Sequence, residues 1–205
     1  VHGNLNPDSI LIHPDTVKVY ISGFGNAISV NSKSQNYIMP VSDSSWAPQY
    51  ISPEQTGRLN VKIDQRSDLY SIGVIFYEML TGRLPFTADR EIEWIHAHIS
   101  ERPKPINSIR SDIPSAISGM VMKLLEKKAE GRYQSAYGLL WDIRECRKQL
   151  IEAGRIDNVA IGRRDTVSSF CLPNMLYGRD AEKEQLKAVF DRVCEGSAEA
   201  VFISG

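Results

Sequence analysis

The sequence predicts a mainly α-helical domain that carries one small β-hairpin and is followed by the first helix and strand of a second, α/β domain. Two observations favour this architecture. Hydrophobic residues recur at three- and four-residue intervals in successive segments between residues 66 and 153, as they do on the buried faces of helices. Residues 9–22 instead hold two short β-rich runs around a turn, and the run at 201–204 has strand character.

The hairpin is predicted within residues 9–22, where turn residues separate an apolar run from a second β-rich run that ends at Ser22. Residues 29–49 follow and are rich in Ser, Asn and Pro. They are expected to form a long loop, and loops of that length inside a compact domain are usually functional or disordered.

Four helices are predicted to follow the loop. The first starts near residue 66, with Ser67 or Asp68 as its cap, and Gly82 is expected to end it. It is apolar nearly all round, which is typical of a buried helix. The other helices are expected at 89–100, 114–128 and 135–153, with Gly154 closing the last.

The domain boundaries are placed where this pattern changes. Residues 1–153 form the helical domain, and residues 154–175 are predicted to be a loosely packed linker because periodicity is lost there. Residues 176–205 would begin the second domain, with an amphipathic helix at 180–194. The chain starts without Met and ends on an apolar run that lacks neighbouring strands, so we expect a piece of a longer protein.

Composition and charge argue against several function classes. Hydrophobic residues make up 42% of the chain and the formal net charge is -1, which gives no electrostatic basis for a nucleic-acid partner. No apolar stretch approaches the ~20 residues that cross a bilayer, so no membrane insertion is expected. The cysteines have no metal-ligand spacing and are typical of reduced thiols in a cytoplasmic protein: Cys146, Cys171 and Cys194.

Several motifs occur in the order and at the distances that are found in protein kinases. Residues 2–10, His-Gly-Asn-Leu-Asn-Pro-Asp-Ser-Ile, resemble the catalytic loop His-Arg-Asp-Leu-Lys-Pro-x-Asn. Residues 23–27 resemble the Asp-Phe-Gly segment, and residues 50–55, Tyr-Ile-Ser-Pro-Glu-Gln, resemble the Ala-Pro-Glu segment. Residues 67–86 are similar to the central buried helix, and residues 130–133 to the Arg-containing segment before the last helix. The resemblance implies that residues 1–153 are a protein-kinase-like C-terminal lobe.

The resemblance also implies that the catalytic positions have changed. The loop Asp that orients the substrate hydroxyl is replaced by Asn4, and the Asp that holds Mg²⁺ is replaced by Gly23. Asn6 stands for the loop Lys and Ser9 for the metal-binding Asn. An amide is not a useful base and glycine offers no ligand, so no catalytic residue is intact and a pseudokinase is predicted. Two acids nearby remain open as replacement ligands: Asp8 and Asp15.

The positions that build the lobe are retained. The resemblance implies that His2 packs and forms hydrogen bonds, and that Asp68 binds the backbone of the catalytic loop. It further implies that Glu54 and Arg132 form a buried ion pair, which is expensive to break once it is buried.

A narrower resemblance, in residues 50–60, 129–136 and 176–179, points to one multidomain class. In that class a serine/threonine-kinase-like domain precedes a P-loop ATPase domain, and sensor and histidine-kinase modules follow, as in fungal and bacterial hybrid sensor kinases. Gly205 would then be the first glycine of the P-loop, just after its strand.

This class implies a regulatory pseudokinase domain in two-component, phosphorelay signalling. Its partners would be the other domains of the same chain, with downstream phosphorelay proteins as further candidates. ATP and Mg²⁺ are implied for the parent protein, and no cofactor for these residues. Two rival functions stay open: an active ATP-dependent serine/threonine kinase, and a structural tether for the adjoining ATPase domain.

Overall fold

The computed structural model describes residues 1–28, 47–157, 159–165 and 180–194. The chain divides into two units, residues 1–168 and 169–205. The described part of the second unit is the helix Asp180–Cys194, at the position that the sequence predicts. The predicted strand and Gly205 lie outside the described residues.

The first unit is mainly helical and contains a two-stranded antiparallel sheet, which confirms the architecture predicted for the first domain. Strands β1 (Ile10–Ile12) and β2 (Val19–Ile21) form this hairpin, with Ile10 opposite Ile21. The helices of both units are α1 (Gln65–Thr81), α2 (Glu91–Ser100), α3 (Ile106–Ile109), α4 (Ser115–Leu124), α5 (Ala136–Ala153) and α6 (Asp180–Cys194). Among the described residues, no helix is both long enough and apolar enough to cross a membrane.

Helix α1 starts earlier than the sequence predicts. Its cap is Asp64, whose carboxylate accepts the N–H of Arg66 at 2.8 Å, so Ser67 and Asp68 lie inside the first turn. The cap prediction was wrong because Asp64, Ser67 and Asp68, within five residues of one another, are all residue types that favour the cap position. As a result, the side chains of Ser67 and Asp68 remain available for longer-range hydrogen bonds.

Two further helix predictions need correction. Helix α4 ends at Leu124 rather than at residue 128, because the carbonyls of Glu126 and Lys127 turn to accept hydrogen bonds from Arg132. The short helix α3 was not predicted, since four residues between proline-rich stretches carry too little periodicity to be recognised.

Helix α1 lies at the centre of the lobe and packs against α3 and α4. Its side chains Tyr70 and Val74 are fully buried. The crossing with α4 is close at Gly73, where an added Cβ would lie 2.7 Å from the Leu124 Cβ and 3.2 Å from Cδ2 of Leu125. Gly73 therefore sets the distance between the two helices.

We expect Gly73→Ala to destabilise the lobe by about 1–3 kcal/mol through overpacking, although alanine is by ~1 kcal/mol the better helix former. Gly119→Ala in α4 is the matched control, because its new Cβ would meet only Cδ1 of Ile161, a side-chain tip that can rotate away. Urea unfolding followed by circular dichroism measures both. A Gly73→Ala variant at least as stable as Gly119→Ala would contradict the close crossing.

The described part of the predicted linker packs against the lobe. Ile156, Val159 and Ile161 are partly buried against the core that α1, α4 and α5 share. The loose packing expected for this stretch is therefore not found at residues 154–157 and 159–165. The reason is that these apolar side chains, although they lack a helical period, each reach the exposed edge of that core. The domain boundary itself stays a prediction.

Candidate active site

The loop that carries Asn4 is held to helix α1 by Asp68. One carboxylate oxygen of Asp68 accepts the N–H of His2 at 2.7 Å, and the other accepts the N–H of Gly3 at 3.0 Å. Gly3 has a φ of 81°, and a Cβ there would lie 2.9 Å from the carbonyl oxygen of Asn26. Glycine at this position lets the loop lie close to the chain around Asn26, so Asp68 and Gly3 together fix the loop backbone.

His2 joins this loop to the Gly23 segment. Its Nε2 lies 2.8 Å from the carbonyl oxygen of Ser22, and its Nδ1 accepts the N–H of Asn4 at 3.4 Å. A carbonyl needs a donor, so the arrangement requires the neutral tautomer with the proton on Nε2. The ring of Phe24 packs edge-on against the imidazole, with centroids 4.8 Å apart. The buried histidine thus links the two segments.

Asn6 and Ser9 are bonded to each other and to their own loop. The Asn6 side chain accepts the N–H of Asp8 and donates to the carbonyl of Asn4. The Ser9 hydroxyl donates to the carbonyl of Asn6 at 2.7 Å and accepts its N–H at 3.1 Å. Both side chains are buried and cap the 3₁₀ turn Pro7–Ser9. Both side chains are therefore already engaged in hydrogen bonds within their own loop.

Gly23, which the motif resemblance aligns with the metal-binding Asp, lies where there is room for a side chain. This residue has a φ of 81°, and a Cβ would meet Ser9 and His2 at ordinary contact distances of 3.8 and 4.0 Å. Asp8 and Asp15 are exposed. Among the described residues, no three His, Cys, Asp or Glu side chains cluster so that they could hold a metal ion. Mg²⁺ prefers carboxylate ligands. These positions offer instead the amide of Asn4, no side chain at Gly23 and a Ser9 hydroxyl that is already hydrogen-bonded, so they do not fit Mg²⁺.

Glu54 and Arg132 are brought together from sequence positions 78 residues apart. The guanidinium donates to both carboxylate oxygens, at 2.7 and 2.9 Å, and both side chains are buried. The remaining Arg132 donors reach the carbonyls of Arg66, Glu126 and Lys127. Every N–H of the guanidinium therefore has an acceptor. The pair links the loop that precedes α5 to the Ser-Pro-Glu segment.

The electrostatics of this pair favour the charged carboxylate. Burial by itself would raise the pKa of Glu54, but the hydrogen bonds and the charge of Arg132 outweigh burial and hold this pKa below its usual value. A hydrogen bond from the Ser67 hydroxyl, at 2.6 Å, lowers the pKa further. Glu54 is thus ionised at neutral pH, and breaking the pair would leave a charge in the core.

Gln55 is a site residue that the sequence does not reveal. Its amide donates to the carbonyl of Gly3 at 2.6 Å, and its oxygen accepts from the N–H and the hydroxyl of Ser52. This side chain connects the Ser-Pro-Glu segment directly to the catalytic loop. A single glutamine that follows Glu54 carries no pattern from which its partner, 52 residues away, could be deduced.

A buried basic cluster lies behind the ion pair. His98 is fully buried beside the Tyr70 hydroxyl, and burial together with the charge of Lys127 lowers its pKa to about 3. Burial and the charge of Arg132 lower the pKa of Lys127 to about 8. The Lys127 ammonium donates to the carbonyls of Ala97 and His98. The cluster attaches the end of α2 to the centre of the lobe.

Comparison with known proteins bears on these positions. The family model of the protein kinase domain matches residues 1–140. Hybrid signal transduction histidine kinase G of Dictyostelium discoideum is 35% identical over an alignment of 176 positions that covers 76% of this chain and 5% of that protein. A probable serine/threonine-protein kinase of Clostridium acetobutylicum is 32% identical over 151 residues, 74% of this chain and 22% of that protein. Serine/threonine-protein kinase PknB of Mycobacterium tuberculosis is 33% identical over 144 residues, 70% of this chain and 22% of that protein. The chain thus spans less than a quarter of each relative.

Proposed function

The chain belongs to the protein kinase domain family, and we propose that it serves as a degenerate, regulatory kinase-like domain of a multidomain sensor histidine kinase. One observation carries the proposal. The scaffold contacts of Asp68 and of the Glu54–Arg132 pair are complete, while Asn4 and Gly23 stand where transfer needs a base and a metal carboxylate. A lobe of this kind keeps its shape without the means of catalysis.

The multidomain setting has its support in the relatives and in the sequence. One relative is named a hybrid signal transduction histidine kinase, and this chain covers 5% of it. The residues around Gly178, the helix at 180–194 and the apolar run before Gly205 favour an ATPase domain next in the chain. ATP and Mg²⁺ would then be used by other domains of a cytoplasmic parent protein that works in a phosphorelay.

Regulation by such a lobe would act through contact. The hairpin presents hydrophobic side chains that are more than half exposed, and Phe24 beside it is 59% exposed. Exposed hydrophobic patches of this kind mark surfaces on which another domain or protein packs. The exposed hairpin residues are Leu11, Ile12, Val17, Val19, Tyr20 and Ile21. His2 links this region to the catalytic loop. A domain that packs on the hairpin would therefore affect the position of that loop.

An active serine/threonine kinase is the second candidate, and the names of the bacterial relatives favour it. It would require a replacement for both lost carboxylates. Asp8 and Asp15 are the acids that the sequence offers near this loop, but both side chains are exposed, and Asn6 and Ser9 already form hydrogen bonds within the loop. A passive tether for the ATPase domain is a third candidate. That role would not require the scaffold contacts to be complete.

The three candidate functions predict different results in the parent protein. Three versions are compared: wild type, Asn4→Ala, and one in which a flexible linker replaces residues 1–165. The proposal expects the linker version to change the rate of histidine phosphorylation severalfold, and Asn4→Ala to leave serine and threonine phosphate at background, as in wild type. A linker version that matches wild type would indicate a tether. Serine or threonine phosphate that Asn4→Ala abolishes would indicate an active kinase.

A further inference from the structure

Residues 155–157 and 159–165, which we call the strap, run back across the lobe after α5 and its C-terminal cap, Gly154. The hydrophobic side chains of the strap pack on the core, as described above, and the guanidinium of Arg164 lies 3.8 Å from the centre of the Trp141 ring. The main chain is also held, because the N–H of Asp157 donates to the Gln149 side chain at 3.0 Å. The strap is therefore attached along the length of α5.

The end of the strap caps the start of α5. The Asp165 carboxylate accepts the N–H of Gln134 at 2.7 Å and the N–H of Ser135 at 3.1 Å. It also accepts the hydroxyl of Ser135, which is itself the N-cap and binds the N–H of Gly138. An acid at a helix N-terminus satisfies free N–H groups and interacts favourably with the helix dipole. Asp165 thus completes a cap that Ser135 fills only in part.

The helix leaves a space for this carboxylate at Gly138. A Cβ added to Gly138 would lie 2.6 Å from the Cβ of Asp165 and would also overlap its Oδ1. Real side chains do not approach so closely, so a docked Asp165 and a residue larger than glycine at position 138 exclude each other. The missing side chain at position 138 therefore leaves the space that Asp165 occupies.

A second contact holds the middle of the strap. The N–H of Gly162 donates to the carboxylate of Asp142 at 2.7 Å, and the same oxygen accepts the hydroxyl of Tyr133. Asp142 is almost fully buried. Without the strap this carboxylate would lose one of its two described partners, and a buried charge with unsatisfied bonds is costly.

The strap is linked to the ion pair through Gln134. The backbone of Gln134 binds Asp165, while its side-chain oxygen accepts from Nη1 of Arg66 at 2.9 Å. The carbonyl of Arg66 in turn accepts from Arg132, and the side chain of Gln134 also donates to the carbonyl of Arg132. A displaced Asp165 would therefore free the residue that braces Arg132 against Glu54.

We propose that the strap is a conformational device that couples the chain beyond residue 165 to the Ser-Pro-Glu segment. When docked, it fixes the start of α5 and the position of Gln134. When pulled away, it frees both and loosens the support of the Glu54–Arg132 pair. This coupling goes beyond the proposed regulatory function and does not depend on it, because the same contacts would act in an active kinase.

Hydrogen exchange of this chain, read by mass spectrometry, tests the coupling with Asp165→Ala. We expect the amides of residues 134–139 and 52–57 to exchange about fivefold to tenfold faster, as after the loss of a helix cap. Asp157→Ala is the control, because it removes the same charge from the strap where the carboxylate is exposed and touches only Arg155. Faster exchange confined to the strap, or equal in the control, would overturn the proposal.

Gly138→Ala provides a second, opposite test. Alanine in place of glycine ordinarily stabilises a helix and slows exchange, but here it should expel Asp165 and reproduce the fast exchange of Asp165→Ala. The double variant should exchange no faster than either single one, since both remove the same contact. If Gly138→Ala slows exchange at residues 134–139, the strap is not docked and the proposal fails. This comparison also decides the matter if Asp165→Ala alone does not fold.

Discussion

Replacing Arg132 with alanine is expected to destabilise the lobe by about 3–5 kcal/mol, enough to unfold a domain of ordinary stability. The change would leave the ionised Glu54 in the core without a counter-charge. It would also leave three carbonyls without their donor: those of Arg66, Glu126 and Lys127. These partly buried acceptors would lose one hydrogen bond each, which adds to the cost of the unpaired charge.

Urea unfolding at neutral pH measures this effect, with Arg110→Ala as the control. Arg110 also pairs with a carboxylate, that of Asp112, but both side chains are about half exposed or more. Exposed pairs contribute ~0–1 kcal/mol, so the control should stay close to wild type. A loss below about 1 kcal/mol in Arg132→Ala would show that the ion pair does not hold the lobe together.

The same pair predicts how stability depends on pH. The pKa of Glu54 is lower in the folded protein than its usual value of 4.5. Its contribution to stability is therefore complete above about pH 4.5 and is lost as the pH falls through the folded-state pKa. The fall of stability on acidification below pH 4.5 should be shallower in Glu54→Gln, which carries no titrating group there.

Much of the helical architecture could be predicted from the sequence because it depends on local patterns. The long helices α1 and α5 carry regular apolar faces and end at Gly82 and Gly154, which both adopt the left-handed conformation of a C-terminal cap. The helix α3 could not be predicted, because its four residues carry too little periodicity. The cap at Asp64 could not be predicted, because Ser67 and Asp68 are equally suitable residue types a few positions later.

The candidate site was predictable in part. The order of motifs predicts which positions are altered, but it does not show what the replacement side chains do. That Asn6 and Ser9 bond to each other depends on the backbone of the turn between them. The contacts of Gln55 and Asp165 join distant parts of the chain through polar groups, and such groups leave no periodic trace in a sequence.

The largest effect on activity is expected from restoring the two lost carboxylates. The loss of one preorganised catalytic group costs ~10²–10³ in rate, so two together account for several powers of ten. The site has room for the change, because a Cβ at Gly23 would meet its neighbours at 3.8 Å or more. Aspartate tolerates the positive φ of this position better than most residues do, although not without strain.

The experiment compares the parent protein with its Asn4→Asp, Gly23→Asp variant in the presence of ATP and Mg²⁺. The wild type should transfer no phosphate to serine or threonine, and the variant should gain measurable transfer if the scaffold is otherwise competent. Asn4→Asp alone is the control, because it restores the base without the metal ligand and should gain much less. Equal transfer by single and double variants would show that Gly23 is not the missing metal position.

The proposal that the lobe lacks a working base and metal ligand is tested most directly by one measurement, the acid-stable phosphate that the wild-type parent protein transfers from ATP to serine or threonine. Acid-stable phosphate excludes phosphohistidine from the count. We predict a level no higher than that of Asn4→Ala. Transfer well above that level, and lost on Asp8→Ala or Asp15→Ala, would contradict the account, because a nearby acid would then have taken over the chemistry.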